Sequence, residues 1–233
     1  MSFSELLDVL YEDNHLLVIN KPAGWPTAHA ETQDTMLDVV KEYIKEKYHK
    51  PGNVFMGLVH RIDKPVTGVL LFARTSKAAS RLSKQFLDRT VEKVYWAVVE
   101  RFDRASNFAD AGFLEDYLAK DPHTGVVHVV GKSHPEAQHA ATNYYLKRTY
   151  EQLALLELLP QTGRRHQMRV QLASRGLPVY ADAKYGGTHN LGGAIALHAR
   201  SLTFLHPITA ETITVTAEIP QNWKGRFAHL MVG

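Results

Sequence analysis

The sequence predicts an α+β protein whose core is a largely antiparallel, mixed β-sheet with a few interspersed helices. Two observations lead to this class. Short apolar runs rich in β-branched and aromatic residues recur along the 233 residues, and turn-forming groups such as Glu12-Asp13-Asn14 separate neighbouring runs. Only three stretches have the apolar spacing of a helix. Strands joined by short turns pair antiparallel, so we expect most of the sheet to be antiparallel.

Each predicted strand is a short apolar run bounded by turn residues. Asp121-Pro122-His123-Thr124-Gly125 forms a hairpin turn before one strand, and His206-Pro207-Ile208-Thr209 joins the last two. In chain order, the predicted strands and strand-like runs cover residues 6–11, 15–20, 54–59, 66–72, 91–100, 126–130, 141–149, 152–159, 202–205 and 212–217.

Three helices are predicted from apolar spacing and from residues that cap helix ends. The first is capped by Asp34 or Thr35 and runs to about residue 48. The second follows Thr75-Ser76 and covers residues 77–88. The third covers residues 165–174 and ends where a glycine follows.

The composition is that of a folded globular protein, with 45% hydrophobic and 22% charged residues. The absence of cysteine excludes a disulfide framework and a thiolate metal site. The formal net charge of +3 permits an anionic partner without requiring one. The sequence has no leader segment with a basic start and an apolar stretch, and no apolar run of about 20 residues. We therefore expect a cytoplasmic protein that makes no use of a membrane.

The most informative segment runs from Gly57 to Arg74 and reads GLVHRIDKPVTGVLLFAR. It places one carboxylate, Asp63, beside Arg61 and Lys64 on a turn between two apolar runs. Taken alone, this pattern is most simply a surface turn with a local ion pair. The alternative is a reactive group held on a rigid scaffold, which is where chemistry is often placed.

The length of the match decides between these interpretations. The segment 57–74 resembles the signature of the RluA-type RNA pseudouridine synthases, in which His-Arg-Leu-Asp precedes a polar turn, a glycine and an apolar strand. Two later segments, LPQTGRRHQMRV at 159–170 and GLPVYADAKYG at 176–186, also resemble that family and occur in the family's order. The loop Lys21-Pro22-Ala23-Gly24 resembles the opening of its catalytic domain.

The resemblance implies a long, bent, mostly antiparallel mixed sheet flanked by helices, with an RNA-binding cleft across its middle. It implies an isomerase that converts uridines of ribosomal or transfer RNA to pseudouridine by flipping the target base. The reaction involves no redox change, so no cofactor is expected. We expect one catalytic domain over residues 1–233, without a separate N-terminal RNA-binding domain, that works as a monomer.

Three residues take catalytic roles by this resemblance: Asp63, Tyr95 and Arg164. Asp63 would be the essential group, and three actions are compatible with it: attack on the sugar, attack on the base, or removal of a ribose proton. Arg164 would supply the guanidinium that orients the carboxylate. Tyr95 would lie against the target base; without the resemblance, a tyrosine in a strand is more often a core or sheet residue.

A second group of residues is expected to bind RNA. Arg61 would fill the gap left by the flipped nucleotide, and His60 beside it has structural support as its alternative. Of the neighbours Arg164 and Arg165, we expect one to point inwards and the other outwards. The remaining candidates are basic, with a solvated surface role as their alternative: Arg165, Arg169, Lys77, Arg81 and Lys84.

Other readings are weaker. The thirteen histidines form no His-Glu-x-x-His pattern, so we expect no metal. Asp182 would support the neighbouring loop or cap a helix. A non-catalytic RNA-binding or RNA-folding module would use the same cleft without forming product. A carboxylate hydrolase of nucleosides or glycosides typically needs two carboxylates, and only Asp63 is well placed.

Overall fold

The computed structural model of the chain describes residues 7–29, 33–101 and 108–231. The chain divides into two compact units. The first contains the chain up to Lys93 together with Ala199–Glu218, and the second contains Val94–His198 and the chain from Ile219 onwards.

Eleven strands, five α-helices and one short 3₁₀-helix, Ala183–Tyr185, are found in the described residues. The strands are β1 (Val9–Glu12), β2 (Leu16–Lys21), β3 (Gly57–Leu58), β4 (Thr67–Ala73), β5 (Glu92–Val99), β6 (Ala111–Lys120), β7 (Val127–Val130), β8 (Gln138–Tyr150), β9 (Leu153–Pro160), β10 (Leu197–Leu205) and β11 (Thr212–Thr216). The helices are α1 (Met36–Lys47), α2 (Ser76–Leu87), α3 (Gln167–Ala173), α4 (Gln221–Arg226) and α5 (Ala228–Met231).

The first unit is organised around β4, in which every residue is buried. Its strands lie in the order β1-β2-β4-β10, while β3 pairs with β4 and β11 pairs with β10. The pairs β1–β2, β2–β4, β3–β4 and β10–β11 are antiparallel. One face of this sheet packs with α2 to form a core that includes Leu71, Leu82 and Phe204. The buried strand predicted at residues 66–72 is therefore confirmed.

A glycine is required at the start of β4. Gly68 lies opposite Lys21 in β2 and has φ of +111°, a backbone conformation that side chains disfavour. A Cβ atom at this position would lie 2.2 Å from the carbonyl oxygen of Ala199. The close approach of two backbones thus explains why a glycine occurs inside an otherwise apolar strand.

The first two helices begin where their capping residues predict. The side chain of Thr35 accepts a hydrogen bond from the backbone N–H of Asp38, and the Asp38 carboxylate accepts one in return from the N–H of Thr35. The side chain of Thr75 accepts a hydrogen bond from the N–H of Ala78. Both predicted helices are confirmed, with ends within one or two residues.

The second unit contains strands in the order β5-β9-β8-β6-β7, and the pairs between these neighbours are antiparallel. Helix α3 lies against this sheet through Val170, which packs in a cluster with Leu118, Val127 and Ala140. The third predicted helix is confirmed, although it begins two residues later than expected.

The prediction missed β6, α4 and α5. Glu115-Asp116 lies in the middle of β6 and breaks the alternation of apolar and polar residues, so the sequence lacks a strand pattern there. Helices α4 and α5 have 6 and 4 residues, too few to show a helical period. The strand expected at residues 54–59 is only the two residues of β3, and the expected strand start at Leu6 lies outside the described residues.

Candidate active site

Asp63 lies on the turn between β3 and β4, and the residues on both sides of it are fixed to one loop. The hydroxyl of Thr27 donates a hydrogen bond to the carbonyl oxygen of Ile62 at 2.8 Å. The N–H of Gly24 donates to the carbonyl oxygen of Lys64 at 2.9 Å. Asp63 itself is half-buried. The carboxylate therefore projects from a backbone that is held immediately before and after it, as a preorganised reactive group requires.

A buried lysine lies beneath this turn. The Nζ atom of Lys21 donates hydrogen bonds to the carbonyl oxygens of Pro22 at 2.8 Å, Trp25 at 2.9 Å and Lys64 at 3.2 Å. Burial lowers the pKa of Lys21 to about 7, and the negative charge of Asp63 opposes this shift. The sequence marked residue 21 only as part of a loop. Its position at the end of the apolar strand β2 was the available sign of burial.

The two residues before Ile62 have different environments. Arg61 is exposed, as an RNA contact requires. His60 is half-buried, its Nε2 atom accepts a hydrogen bond from the N–H of Leu71 at 2.9 Å, and its ring stacks on Phe86 at 4.8 Å between centroids. Burial, with a smaller contribution from Lys93, lowers the pKa of His60 to about 3. A neutral ring engaged in this way fits structural support, the alternative reading of His60, and we do not retain it as an RNA contact.

The cations of α2 are only partly available to a partner. Lys77 is exposed. Arg81 donates from Nη1 to the carbonyl oxygen of Pro207 at 2.6 Å. Lys84 forms an ion pair with Asp88 at 2.7 Å between Nζ and Oδ2. Because an exposed pair of this kind contributes only about 0.3–0.5 kcal/mol, Lys84 can exchange Asp88 for a phosphate at little cost.

Tyr95 and Arg164 belong to the second unit. Tyr95 lies in β5 opposite Leu158 in β9, and only 9% of its surface is exposed. Arg164 follows β9 and is half-buried, and its Nε atom donates to the carbonyl oxygen of His139 at 3.0 Å. Its neighbour Arg165 is exposed. The two arginines thus differ in burial, as one inward and one outward side chain would.

Arg169 occupies a different environment from the one expected of an RNA contact. It is 4% exposed, and its Nε and Nη2 atoms donate to the two carboxylate oxygens of Asp182 at 2.7 and 2.8 Å. Its guanidinium lies 5.0 Å from the centre of the Tyr185 ring. This geometry fits a residue that fixes α3 to the loop 182–185, so Arg169 is not retained among the RNA contacts. Of the two roles expected for Asp182, support of the loop and capping of a helix, its contacts with Arg169 fit the first.

A second buried anchor, which sequence reasoning missed, holds the residues on both sides of this loop, at 181 and at 188–189. Glu100 is 2% exposed, and its carboxylate accepts hydrogen bonds from the N–H groups of Ala181, Thr188 and His189 and from the Thr188 hydroxyl. Burial alone would raise the pKa of Glu100, but these donors outweigh it and hold the pKa at about 2. Glu100 is therefore ionised over the physiological pH range, which suits a carboxylate that accepts hydrogen bonds from four donors.

The described residues contain neither a cluster suited to a metal ion nor a helix suited to a membrane. No group of three or more His, Cys, Asp or Glu side chains in residues 7–29, 33–101 and 108–231 is placed to hold a metal ion. No helix of the same residues is long and apolar enough to cross a membrane.

Comparison with known proteins defines the family of this protein. The profile of the family described as RNA pseudouridylate synthase matches residues 15–174. The chain is 34% identical to tRNA pseudouridine synthase C of Haemophilus influenzae, over 94% of this chain and 95% of that protein. It is 32% identical to ribosomal large subunit pseudouridine synthase D of Zymomonas mobilis, over 97% of this chain and 73% of that protein.

A solved structure gives the same result for the fold. Human RNA pseudouridylate synthase domain containing 4 superposes with a TM-score of 0.78 at 26% identity, covering 95% of this chain and 92% of that one. The chain belongs to the RNA pseudouridylate synthase family. It is therefore a pseudouridine synthase, an isomerase that acts on RNA, and the predicted class of enzyme and class of fold are both confirmed.

Proposed function

We propose that this enzyme isomerises uridines of transfer or ribosomal RNA and that Asp63 is its essential residue. The choice of RNA rests on the similarity to two relatives named for transfer RNA and for the large ribosomal subunit. The choice of Asp63 rests on one observation: its backbone neighbours are both tied to the loop 22–27, above a buried lysine. These RNAs would place the enzyme in the cytoplasm.

The roles of the other residues follow from charge and exposure. Exposed Arg61, two residues before Asp63, is suited to occupy the space left in the RNA by the extruded nucleotide. Arg164 is the proposed counter-charge for Asp63, and Tyr95 is the proposed stacking surface for the base. Attack on the sugar, attack on the base and removal of a ribose proton all remain compatible with Asp63. No metal or cofactor takes part in this proposal.

Phosphate contacts are assigned to the cations whose side chains are exposed. Arg165, Lys77 and Lys84 meet this condition, and Arg81 contributes less because its guanidinium is bonded to the carbonyl oxygen of Pro207. We propose that the enzyme acts as a monomer. Light scattering during size-exclusion chromatography tests that state.

The decisive experiment replaces Asp63 by Asn, which keeps the size of the side chain and removes its charge. Pseudouridines are mapped in total RNA from cells that contain the wild-type enzyme, Asp63→Asn or no enzyme. The same comparison is made in vitro with unmodified RNA. We expect Asp63→Asn to bind RNA and to form no pseudouridine.

The matched control is Asp8→Asn, which removes an exposed carboxylate from the same unit. The Asp8 carboxylate accepts a hydrogen bond from the side chain of Asn20 at 3.0 Å. It should modify the same uridines as the wild-type enzyme. Isomerisation by Asp63→Asn at the wild-type rate would rule out the proposed role of Asp63. Binding of RNA without any product by the wild-type protein would instead favour the RNA-folding alternative.

A further inference from the structure

Gln167 occupies the centre of a buried hydrogen-bond network in the second unit. It is 3% exposed, and its side-chain oxygen accepts hydrogen bonds from the hydroxyl of Thr162 at 2.6 Å and from the backbone N–H of Arg164 at 3.0 Å. Its side-chain nitrogen donates to the carbonyl oxygen of Ala141 at 3.0 Å and to the hydroxyl of Thr142 at 2.9 Å. An amide can accept two and donate two hydrogen bonds, so this one is fully used.

The network joins Arg164 to strand β8 at two points. Through Gln167, the backbone of Arg164 is tied to Ala141 and Thr142 in β8. Through its own Nε atom, the Arg164 guanidinium is tied to the carbonyl oxygen of His139 in the same strand. The backbone of Arg164, through Gln167, and its guanidinium, directly, are thus hydrogen-bonded to the same stretch of β8, residues 139–142. A shift of the backbone relative to β8 would change where the guanidinium lies.

We propose that Gln167 is the positioning residue of Arg164. The inference rests on the proposed function, in which the guanidinium of Arg164 orients the reactive carboxylate. Misplacement of a catalytic group by about 1 Å can reduce a rate by roughly a hundredfold, so a buried amide that fixes the arginine backbone has a large effect on turnover. It touches no substrate and acts only through Arg164.

A second glutamine in the same helix separates this role from a general contribution to stability. Gln171 is fully buried and accepts a hydrogen bond from the same hydroxyl of Thr142 at 2.8 Å. Its nitrogen donates to the carbonyl oxygens of Leu114 at 3.0 Å and Ala140 at 3.3 Å. Among the hydrogen bonds described here, none joins it to Arg164. The two glutamines therefore resemble each other in burial and in their contacts with β8. Gln171 also donates to Leu114 and to the carboxylate of Asp116 in β6, and Gln167 accepts from Arg164.

The test compares Gln167→Met with Gln171→Met, since methionine keeps the length of the side chain and removes the amide. Single-turnover isomerisation rate and RNA affinity are measured for both variants, for Arg164→Ala and for the wild type. The Nε–H resonance of Arg164, assigned by its loss in Arg164→Lys, is followed by NMR in the free proteins. If Gln167→Met does not fold, Gln167→Asn takes its place, because it withdraws the amide by one methylene.

We expect Gln167→Met to lower the single-turnover rate by about tenfold to a hundredfold, to leave RNA affinity within about threefold, and to move the Arg164 resonance. Gln171→Met should lower the melting temperature similarly, keep the rate within about threefold and leave that resonance in place. Equal rate losses in the two variants, or an unmoved resonance in Gln167→Met, would overturn the inference. A wild-type protein without isomerase activity would refute the proposed function instead, and the resonance would still decide the positioning role.

Discussion

The buried Lys21 makes the stability of the enzyme depend on pH in a direction that can be predicted. The unfolded chain keeps the proton of this lysine up to its ordinary pKa of 10.5, whereas burial lowers the pKa in the folded protein to about 7. Between these values the unfolded state binds more protons than the folded state. The free energy of unfolding must therefore rise with pH in this window.

The size of the effect follows from the two pKa values. A single proton changes the free energy of unfolding by at most about 1.4 kcal/mol per pH unit. At about pH 7 the folded lysine is half-charged, so the slope begins below that limit. Between about pH 7 and pH 9, wild-type stability should gain about 2 kcal/mol relative to a variant that lacks the titrating group.

Urea unfolding of the wild type and of Lys21→Gln, followed by circular dichroism at several pH values, measures this difference. Glutamine retains an uncharged donor for the surrounding carbonyl oxygens. Lys64→Met is the control, because it removes an exposed lysine and keeps Lys21, so the stability of this variant should rise with pH as that of the wild type does. A difference between wild type and Lys21→Gln that stays constant with pH would refute the reasoning. It would mean that three carbonyl oxygens and Asp63 keep the ammonium fully charged despite its burial.

Four further results are expected. Gly68→Ala should destabilise the enzyme by more than about 3 kcal/mol in urea unfolding, because the new Cβ would meet the backbone of Ala199 and φ is positive; a loss below about 1 kcal/mol would contradict this. Arg165→Ala should reduce the slope of log Kd for RNA against log salt by roughly 0.7 to 0.9, with stability unchanged. Arg169→Ala should instead lower the free energy of unfolding by about 3 to 5 kcal/mol. A loss of stability in Arg165→Ala and a reduced salt slope without loss of stability in Arg169→Ala would contradict both predictions. Dialysis against a chelator should leave isomerisation unchanged, and restoration of lost activity by a divalent cation would show that a metal takes part.

The local pattern of residues was sufficient for most of the secondary structure. Apolar spacing and capping residues identified α1 and α2, and continuous apolar runs identified β2 and β4. These signals arise within one segment, because a helix or strand that buries one face repeats with its own period. Strand β6 was missed because its position between β7 and β8, rather than its own pattern, makes it a strand.

The candidate site likewise contains residues that local sequence could identify and residues that it could not. The roles expected of Arg61, Asp63 and Arg164 came from the resemblance of two short segments to a known family, and such a resemblance can be recognised from local sequence alone. The role of Gln167 was not readable, since it depends on acceptors in β8 that lie 25 and 26 positions earlier in the chain.

The sequence by itself determined the class of enzyme, the carboxylate expected to be essential and the order of the main elements. Only the tertiary structure decided which charged side chains are exposed and which are held inside the protein. Arg165 and Arg169 show the reason, because they lie only four residues apart. Arg165 is exposed, whereas Arg169 is buried and forms an ion pair with Asp182 from a separate segment. The burial and ion pairing of a side chain depend on residues of other segments that pack against it, and no local sequence pattern specifies those residues.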